Sequence, residues 1–378
     1  MKIEQFRGGA KGEFSVPAGS LADAANLVLV FGAPDPLSTP GLAERLRAAY
    51  PRAVLFGCST AGEILNQSVF DQSLVVTAVA FARATVQGRV VDIPVGEPGR
   101  VTGVRLAGAF PRTGLRHLLV LSDGLEINGS ALVEGLTSAL PPGVTVTGGL
   151  SADGAHFGRT LVMLDGPAVE GQVAAVGFYG EGLRISHGCV GGWDPFGPER
   201  LVTRAEGNVL YELDGSSALQ LYQRYLGEHA KRLPASGLLF PLLVRNGPDD
   251  PGVVRTILSV DAKAGAMTFA GEIPAGATAR MMKANFDRLI DGAAQAAEHT
   301  LVPLAGSTPD LAVLISCVGR KLVLKQRTEE EVEAVRHVLG PGTALTGFYS
   351  YGEISPLRPG ARCGVHNQTM TVTTFSET

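Results

Sequence analysis

Ala53-Val54-Leu55-Phe56-Gly57-Cys58-Ser59-Thr60-Ala61-Gly62-Glu63-Ile64 runs a short apolar stretch into a polar loop held between two glycines, and Thr343-Ala344-Leu345-Thr346-Gly347-Phe348-Tyr349-Ser350-Tyr351-Gly352-Glu353-Ile354 does the same near the other end of the chain. Upstream of the first loop, Leu27 to Phe31 is apolar throughout and reads as a buried strand. Thr39-Pro40 supplies an N-cap and a first-turn proline, and Leu42, Leu46 and Ala49 repeat at helical spacing. The order is therefore strand, helix, strand, glycine loop.

The same order recurs twice. In the second unit His117 to Leu121 is the first strand, Ser130 caps a helix carrying Leu132, Val133, Leu136 and Leu140, and Pro141-Pro142-Gly143 stops it. Val144 to Thr147 then enters Gly148-Gly149-Leu150-Ser151-Ala152-Asp153-Gly154, a looser copy of the loop without the glutamate. In the third unit Leu311 to Ser316 is the strand and Cys317-Val318-Gly319-Arg320 opens the loop after it. Thr328 and Glu331 form a capping box, Val332, Val335 and Leu339 mark the buried face, and Gly340-Pro341 ends the helix.

Strand, helix and strand with short connections predict parallel pairing through a right-handed crossover. Between the units, Leu74 to Phe81 with Thr85 to Val91, and Thr160 to Leu164 with Val173 to Phe178, are expected as strand pairs. Gly, Pro and charge cluster from Gly191 to Arg204, which sets a boundary. Beyond it a helix is expected over Ser217–Leu226, strands over 238–244, 253–260 and 266–270, and a long helix from about Ala279 to Thr300. The fold class is thus α/β: two related lobes of mixed sheets with flanking helices, built from repeated strand–helix–strand–Gly-loop units. Residues 1–200 hold two units, and residues 201–378 hold one unit plus additional strands and the long helix.

The 378 residues are 45% hydrophobic and 18% charged, enough for a large core. Glycine, at 49 residues, is roughly twice its usual share of about 7%, which fits many short strands and tight turns. With a net charge of −4 and no basic stripe, nucleic acid is not the expected partner. No two of Cys58, Cys189, Cys317 and Cys363 sit at zinc-site spacing. The N-terminus lacks an apolar signal-peptide core and no run reaches the length of a membrane span, so the expectation is a cytoplasmic protein with no membrane partner.

Loops at the carboxyl ends of parallel strands are where open α/β sheets place ligands. The candidate contacts for a small polar ligand are therefore Ser59, Thr60 and Glu63 in the first unit, Ser122, Asp123, Ser151 and Asp153 in the second, and Cys317, Arg320, Tyr349, Tyr351 and Glu353 in the third. A turn needs glycines but no carboxylate at a fixed offset, so the recurrence of Glu63 and Glu353 is the pointed feature. Two readings stand: each glutamate fixes an amino or hydroxyl group of a ligand, or each hydrogen-bonds the backbone of a neighbouring unit. Arg320 at a strand end suits a ligand carboxylate, whereas Cys317 also reads as a small core residue and the Ser and Asp positions as turn residues. A hydrolase with Ser59 or Cys58 as nucleophile is the enzyme alternative, but Gly57, Ser59 and Gly62 are spaced one residue too long for a nucleophile elbow. No catalytic residue is assigned. The seven histidines do not cluster; His187 and His366 stand out by position.

Gly57 to Ile64 resembles the hallmark of the FIST N-terminal domain, and Val202 to Gly215 resembles that family's junction between halves. Cys317-Val318-Gly319-Arg320, Gly347 to Pro356 and His366-Asn367-Gln368-Thr369-Met370 resemble the FIST C-terminal domain. The resemblance implies an intracellular sensory protein in bacterial signal transduction that binds a small ligand, amino acids being the usual suggestion. It also implies work beside a histidine kinase or a cyclic-di-GMP enzyme; as the chain ends soon after the last motif, a separate protein is expected to carry the output. No cofactor is expected on this reading. Some stand-alone members are similar to haem-binding nitric-oxide sensors, and on that alternative His187 would be the axial ligand of haem b.

Overall fold

The computed structural model describes residues 1–9, 21–233, 235–304, 308–358 and 360–377. The first unit comprises β1 (Lys2–Gly8), β2 (Leu27–Gly32), α1 (Pro34–Leu37), α2 (Leu42–Ala49), β3 (Val54–Ser59), the hairpin β4 (Glu63–Leu65) and β5 (Ser68–Phe70), and β6 (Leu74–Ala80). The second comprises β7 (Thr85–Asp92), α3 (Gly99–Gly108), β8 (Leu115–Ser122), α4 (Gly129–Ala139), β9 (Thr145–Leu150), β10 (Val162–Leu164) and β11 (Gln172–Tyr179). The third opens with β12 (Leu183–Val190). An antiparallel sheet of eight strands, β13 to β20, is inserted between Asp194 and Lys283 together with α5 (Ala218–Leu226). The unit resumes with α6 (Phe286–Leu301), β21 (Leu311–Cys317), α7 (Val318–Leu324), α8 (Thr328–Leu339), β22 (Ala344–Ser350), the hairpin β23 (Gly352–Pro356) and β24 (Cys363–His366), and β25 (Met370–Glu377). The architecture is the mixed α/β one expected, two lobes of mixed sheets with flanking helices on one repeated unit.

β2 and β3, β8 and β9, and β21 and β22 pair in parallel. The pairing puts Gly57, Gly148 and Gly347 opposite Val30, Val120 and Leu314. A Cβ at these glycines would lie 1.9, 1.9 and 1.8 Å from the carbonyl oxygen of that partner. The recurring first glycine of the loops is therefore demanded by close backbone approach within each parallel pair.

Sequence-adjacent strands do not pair as expected. β6 runs antiparallel between β1 and β2, β7 lies against β11, and β10 lies against β3. β6 and β11 are buried on both faces along nearly their whole length, so alternation offers nothing that would assign their neighbours. The actual rule is an exchange. Hairpin β4–β5 adds to β22 of the third unit, β10 adds to β3 of the first, and hairpin β23–β24 adds to β9 of the second. Each sheet thus reads leading strand, return strand, parallel pair, borrowed strand, and the three close into a ring.

The inner faces of the three sheets share one core, where Phe31 meets Phe348 at 4.8 Å and Phe178 meets Phe375 at 5.0 Å between ring centroids. Helices cover the outer faces: α2 with Leu42 and Leu46, α4 with Leu132 and Leu136, α8 with Val332 and Val335, all buried.

Several helix limits differ from expectation. α2 begins after Gly41, not at Pro40. Asn128 rather than Ser130 caps α4, its side chain accepting from the Ala131 N–H. The expected loop after Cys317 is helical, as α7. The expected long helix from Ala279 is a strand, β20 (Thr278–Lys283), followed by α6, which starts where the Asn285 side chain accepts from Arg288 N–H. Ala279 and Met281 face the core of the inserted sheet and Met282 faces the other side, beside Trp193 and Leu289, the alternation of a strand.

Candidate functional site

The two recurring glutamates form matched clasps. Glu63 accepts from Thr60 Oγ1 at 2.5 Å on one oxygen and from Ser73 N–H and Oγ at 3.2 and 2.6 Å on the other. Glu353 accepts from Ser350 Oγ at 2.7 Å, and from Thr369 N–H and Oγ1 at 3.1 and 2.8 Å. Each carboxylate ties the loop entering a lent hairpin to the residue that starts the return strand of its own unit. Both are fully buried, and both bond their own unit, not a neighbour's backbone. Burial pushes Glu63 up to about 7 and Glu353 up to about 8, against the pull of these hydrogen bonds.

Arg320 is likewise occupied. Its Nε and Nη2 donate to Glu331 Oε2 at 2.9 and 2.7 Å, Nη2 also to the Leu289 carbonyl at 2.6 Å, and Nη1 to the Gly191 carbonyl. Glu331 takes further bonds from Ser316 Oγ and the Tyr349 hydroxyl at 3.0 and 2.7 Å. Glu331 is therefore the centre of a buried ion pair, not half of a capping box, and Arg320 and Tyr349 face it instead of an open site. Ser59 Oγ accepts from Leu161 N–H at 2.8 Å, and burial pushes the Cys58 and Cys317 thiols well up, which suits neither to nucleophilic attack.

The second unit is arranged differently. Asp123 gathers the N–H groups of Leu125, Glu126 and Gly171 and the Thr160 hydroxyl. Ser122 and Ser151 brace the same turn, with Ser151 Oγ donating to the Ser122 carbonyl at 2.8 Å. Asp153 accepts from the N–H groups of Phe157, Gly158 and Arg159 and from the Tyr351 hydroxyl. Burial works against its charge, but the Tyr351 hydroxyl and those amides hold Asp153 below the usual carboxylate range.

These two aspartates shape the walls of a cleft of about 430 Å³ at the carboxyl ends of β8 and β9. Its lining combines the turn after β8, the first residues of α4, Leu150, Phe157 and Tyr351 with Asn208, Leu258 and Phe269–Gly271 of the inserted region, Val365 of β24, and Asn367 from the turn before β25. The size lies within the range of small-molecule sites. Asn367 is 2% exposed, and its Oδ1 has no hydrogen-bond partner among the described residues; a buried amide oxygen left unpaired costs free energy unless something fills its place. Behind Gly271 the buried Arg255 guanidinium donates to the carbonyls of Glu272 and Val365 and makes no ion pair among the described residues.

Of the residues expected from sequence, Tyr351 lines the cleft, and Asp123, Asp153, Ser122 and Ser151 support it. Ser59, Thr60, Glu63, Cys317, Arg320, Tyr349 and Glu353 do not line it. Asn367 and Phe157 were not singled out. Asn367 lies inside the His366–Met370 run already noted, and Phe157 is a lone aromatic in a glycine-bounded loop, a visible signal.

His187, the candidate axial ligand of haem, has a buried Nε2 with no hydrogen-bond partner among the described residues. It lies within β12 opposite Thr373; on one side Gly188 is so close to α6 that a Cβ would lie 2.0 Å from the Ala296 carbonyl, and on the other stands the buried His117. Among the described residues no group of three His, Cys, Asp or Glu side chains is placed to hold a metal, and no helix is long and apolar enough to cross a membrane.

A family model described as FIST N domain matches residues 26–216, and one described as FIST C domain matches residues 218–356. An uncharacterized protein of Mycobacterium tuberculosis (strain ATCC 25618 / H37Rv) is 26% identical over 326 residues, covering 84% of this chain and 82% of the relative. An uncharacterized protein of Methanocaldococcus jannaschii is 33% identical over 88 residues, 23% of this chain and 17% of that one. Among solved structures, a cyanuric acid hydrolase from A. caulinodans aligns over 99% of both chains with 10% identity and a TM-score of 0.39, too distant a likeness to bear on function.

Proposed function

The chain belongs to the FIST family, whose domains are associated with signal transduction and small-ligand sensing, and from that premise we propose that it is an intracellular sensor whose ligand sits in the cleft at the carboxyl ends of β8 and β9. The observation that carries this reading is Asn367: a buried side-chain amide with an unpaired oxygen, on the border of a cavity of ligand size. The cleft is walled by residues of both family regions, since Gly124 to Phe157 fall in the first and Leu258 to Tyr351 in the second. A ligand there bridges the two, and its binding changes how they sit for a signalling partner, a histidine kinase or a cyclic-di-GMP enzyme. Catalysis has less support, because Ser59, Cys58 and Cys317 are buried and bonded or held as thiols.

The experiment is a thermal-shift and calorimetric screen of small metabolites, amino acids first, against the wild type and Asn367→Leu. A ligand that raises the wild-type Tm and loses that effect in the variant supports the assignment. No shift across the library, or equal shifts in both proteins, removes it. Haem at His187 is the reading we set below this one, on the packing of β12; a Soret band that survives purification and disappears in His187→Ala would reverse the order.

A further inference from the structure

We propose that the cleft selects a flat aromatic monocarboxylate, its ring stacked on Phe157 and its carboxylate at the N-terminus of α4; this deepens the sensor reading and rests on it. Phe157 adopts φ +52°, a conformation that bulky side chains rarely take. It is nevertheless 47% exposed, with its ring stacked on Tyr351 at 4.5 Å and 11°. Its N–H is fixed by Asp153 at 2.9 Å and by the Tyr351 oxygen at 3.2 Å. Backbone strain that holds an apolar ring half in solvent gains nothing for the core, and such strain collects at ligand sites. One face of Phe157 is covered by Tyr351, so the other is the stacking surface, with exposed Leu125 and Leu258 also lining the cleft.

The anionic end follows from α4, an eleven-residue helix whose first residues line the same cleft. Asn128 caps Ala131, which leaves the N–H groups of Gly129 and Ser130 without acceptors inside the helix. Such amides with the helix dipole favour a carboxylate. Glu126 is the single carboxylate in the lining, exposed on its rim, and it opposes each negative group brought into the cleft, so one carboxylate, held at the helix end, is the most that the site is expected to take. The unpaired Asn367 Oδ1 accepts from a hydroxyl or ring N–H on the ligand.

The test titrates the full chain, by calorimetry, with 4-hydroxybenzoate, 4-hydroxybenzamide, cyclohexanecarboxylate and phenylalanine. The expected result is binding of 4-hydroxybenzoate, with the neutral amide weaker by roughly three- to tenfold through loss of the helix-end interaction and the non-planar acid weaker by a similar factor through loss of stacking, roughly three- to tenfold. Phe157→Gly is expected to weaken 4-hydroxybenzoate while Tm holds or rises, because glycine adopts φ +52° without strain; this separates lost binding from lost folding. Equal affinity of the acid and the amide, or of wild type and Phe157→Gly, overturns the proposal. If phenylalanine, zwitterionic and with its carboxylate out of the ring plane, binds through Asn367 and 4-hydroxybenzoate does not, this inference falls and the sensor reading stands. If none of the four binds, this inference falls, and the sensor reading stands or falls by the metabolite screen.

Discussion

Glu63 and Glu353 each face three donors inside the protein, so what replaces the carboxylate decides the outcome. Alanine strands two hydroxyls and an N–H in a buried place and is expected to cost about 3 kcal/mol at either position. Glutamine keeps an acceptor for the Ser73 or Thr369 pair and turns its amide N–H toward the Thr60 or Ser350 hydroxyl, which then accepts. Its expected cost is within about 1 kcal/mol. Urea unfolding of the four single variants checks this; alanine and glutamine variants of equal stability would show that the clasps are idle. Neither glutamine variant is expected to alter ligand affinity in the cleft, since neither residue lines it.

At the scale of elements, the parallel pairs set the tolerances. Gly57, Gly148 and Gly347 each lie against a carbonyl that a methyl group would overlap, and backbone on both sides cannot yield as a side chain can. Alanine at Gly57 or Gly347 is expected to destabilise by about 3 kcal/mol through overpacking, measured as a drop in the urea midpoint at unchanged slope. A near-neutral result would mean that the strands part there at little cost. These strands were legible from their apolar runs, and so was the repeated order, because Leu27–Phe31, His117–Leu121 and Leu311–Ser316 each precede a helix and a glycine loop. Pairing was not: β6 and β11 are apolar on both faces, and nothing local says that β10 leaves its unit for β3. The site was legible in part. Asp123, Asp153 and Tyr351 stood out by position in their loops. Leu258 and Phe269 reach the cleft through the inserted sheet and Asn367 through the turn before β25, segments far apart in sequence that no local pattern connects to α4.

For the whole molecule the buried titratable groups set a pH profile. Glu63 and Glu353 are raised from an ordinary value near 4.5 to about 7 and 8; their contribution is full below about pH 4.5 and is lost as pH rises through those values. His117 and His366 run the other way: burial lowers them from 6.5 to about 3 and about 4, so their contribution is full above about 6.5 and is lost as pH falls toward those values. Together the four groups place the stability maximum at about pH 5 to 6. The double variant Glu63→Gln, Glu353→Gln is expected to lose the decline above that range and to move the maximum toward neutrality, as followed by urea midpoints from pH 4 to 9. An unchanged profile would mean that the carboxylates ionise in place at no cost.

The lending of β4–β5, β10 and β23–β24 between units also has a consequence in solution at high concentration. A hairpin that already leaves its own sheet to complete another can complete the same sheet in a second molecule, with the ladder between β4 and β22 reproduced. Both flanking connections, Thr60–Gly62 from β3 into β4 and Asp71–Ser73 from β5 back to β6, have to take a different course. The fold thus carries within it the design of a domain-swapped dimer, and of an open-ended chain of such molecules if the swaps fail to close.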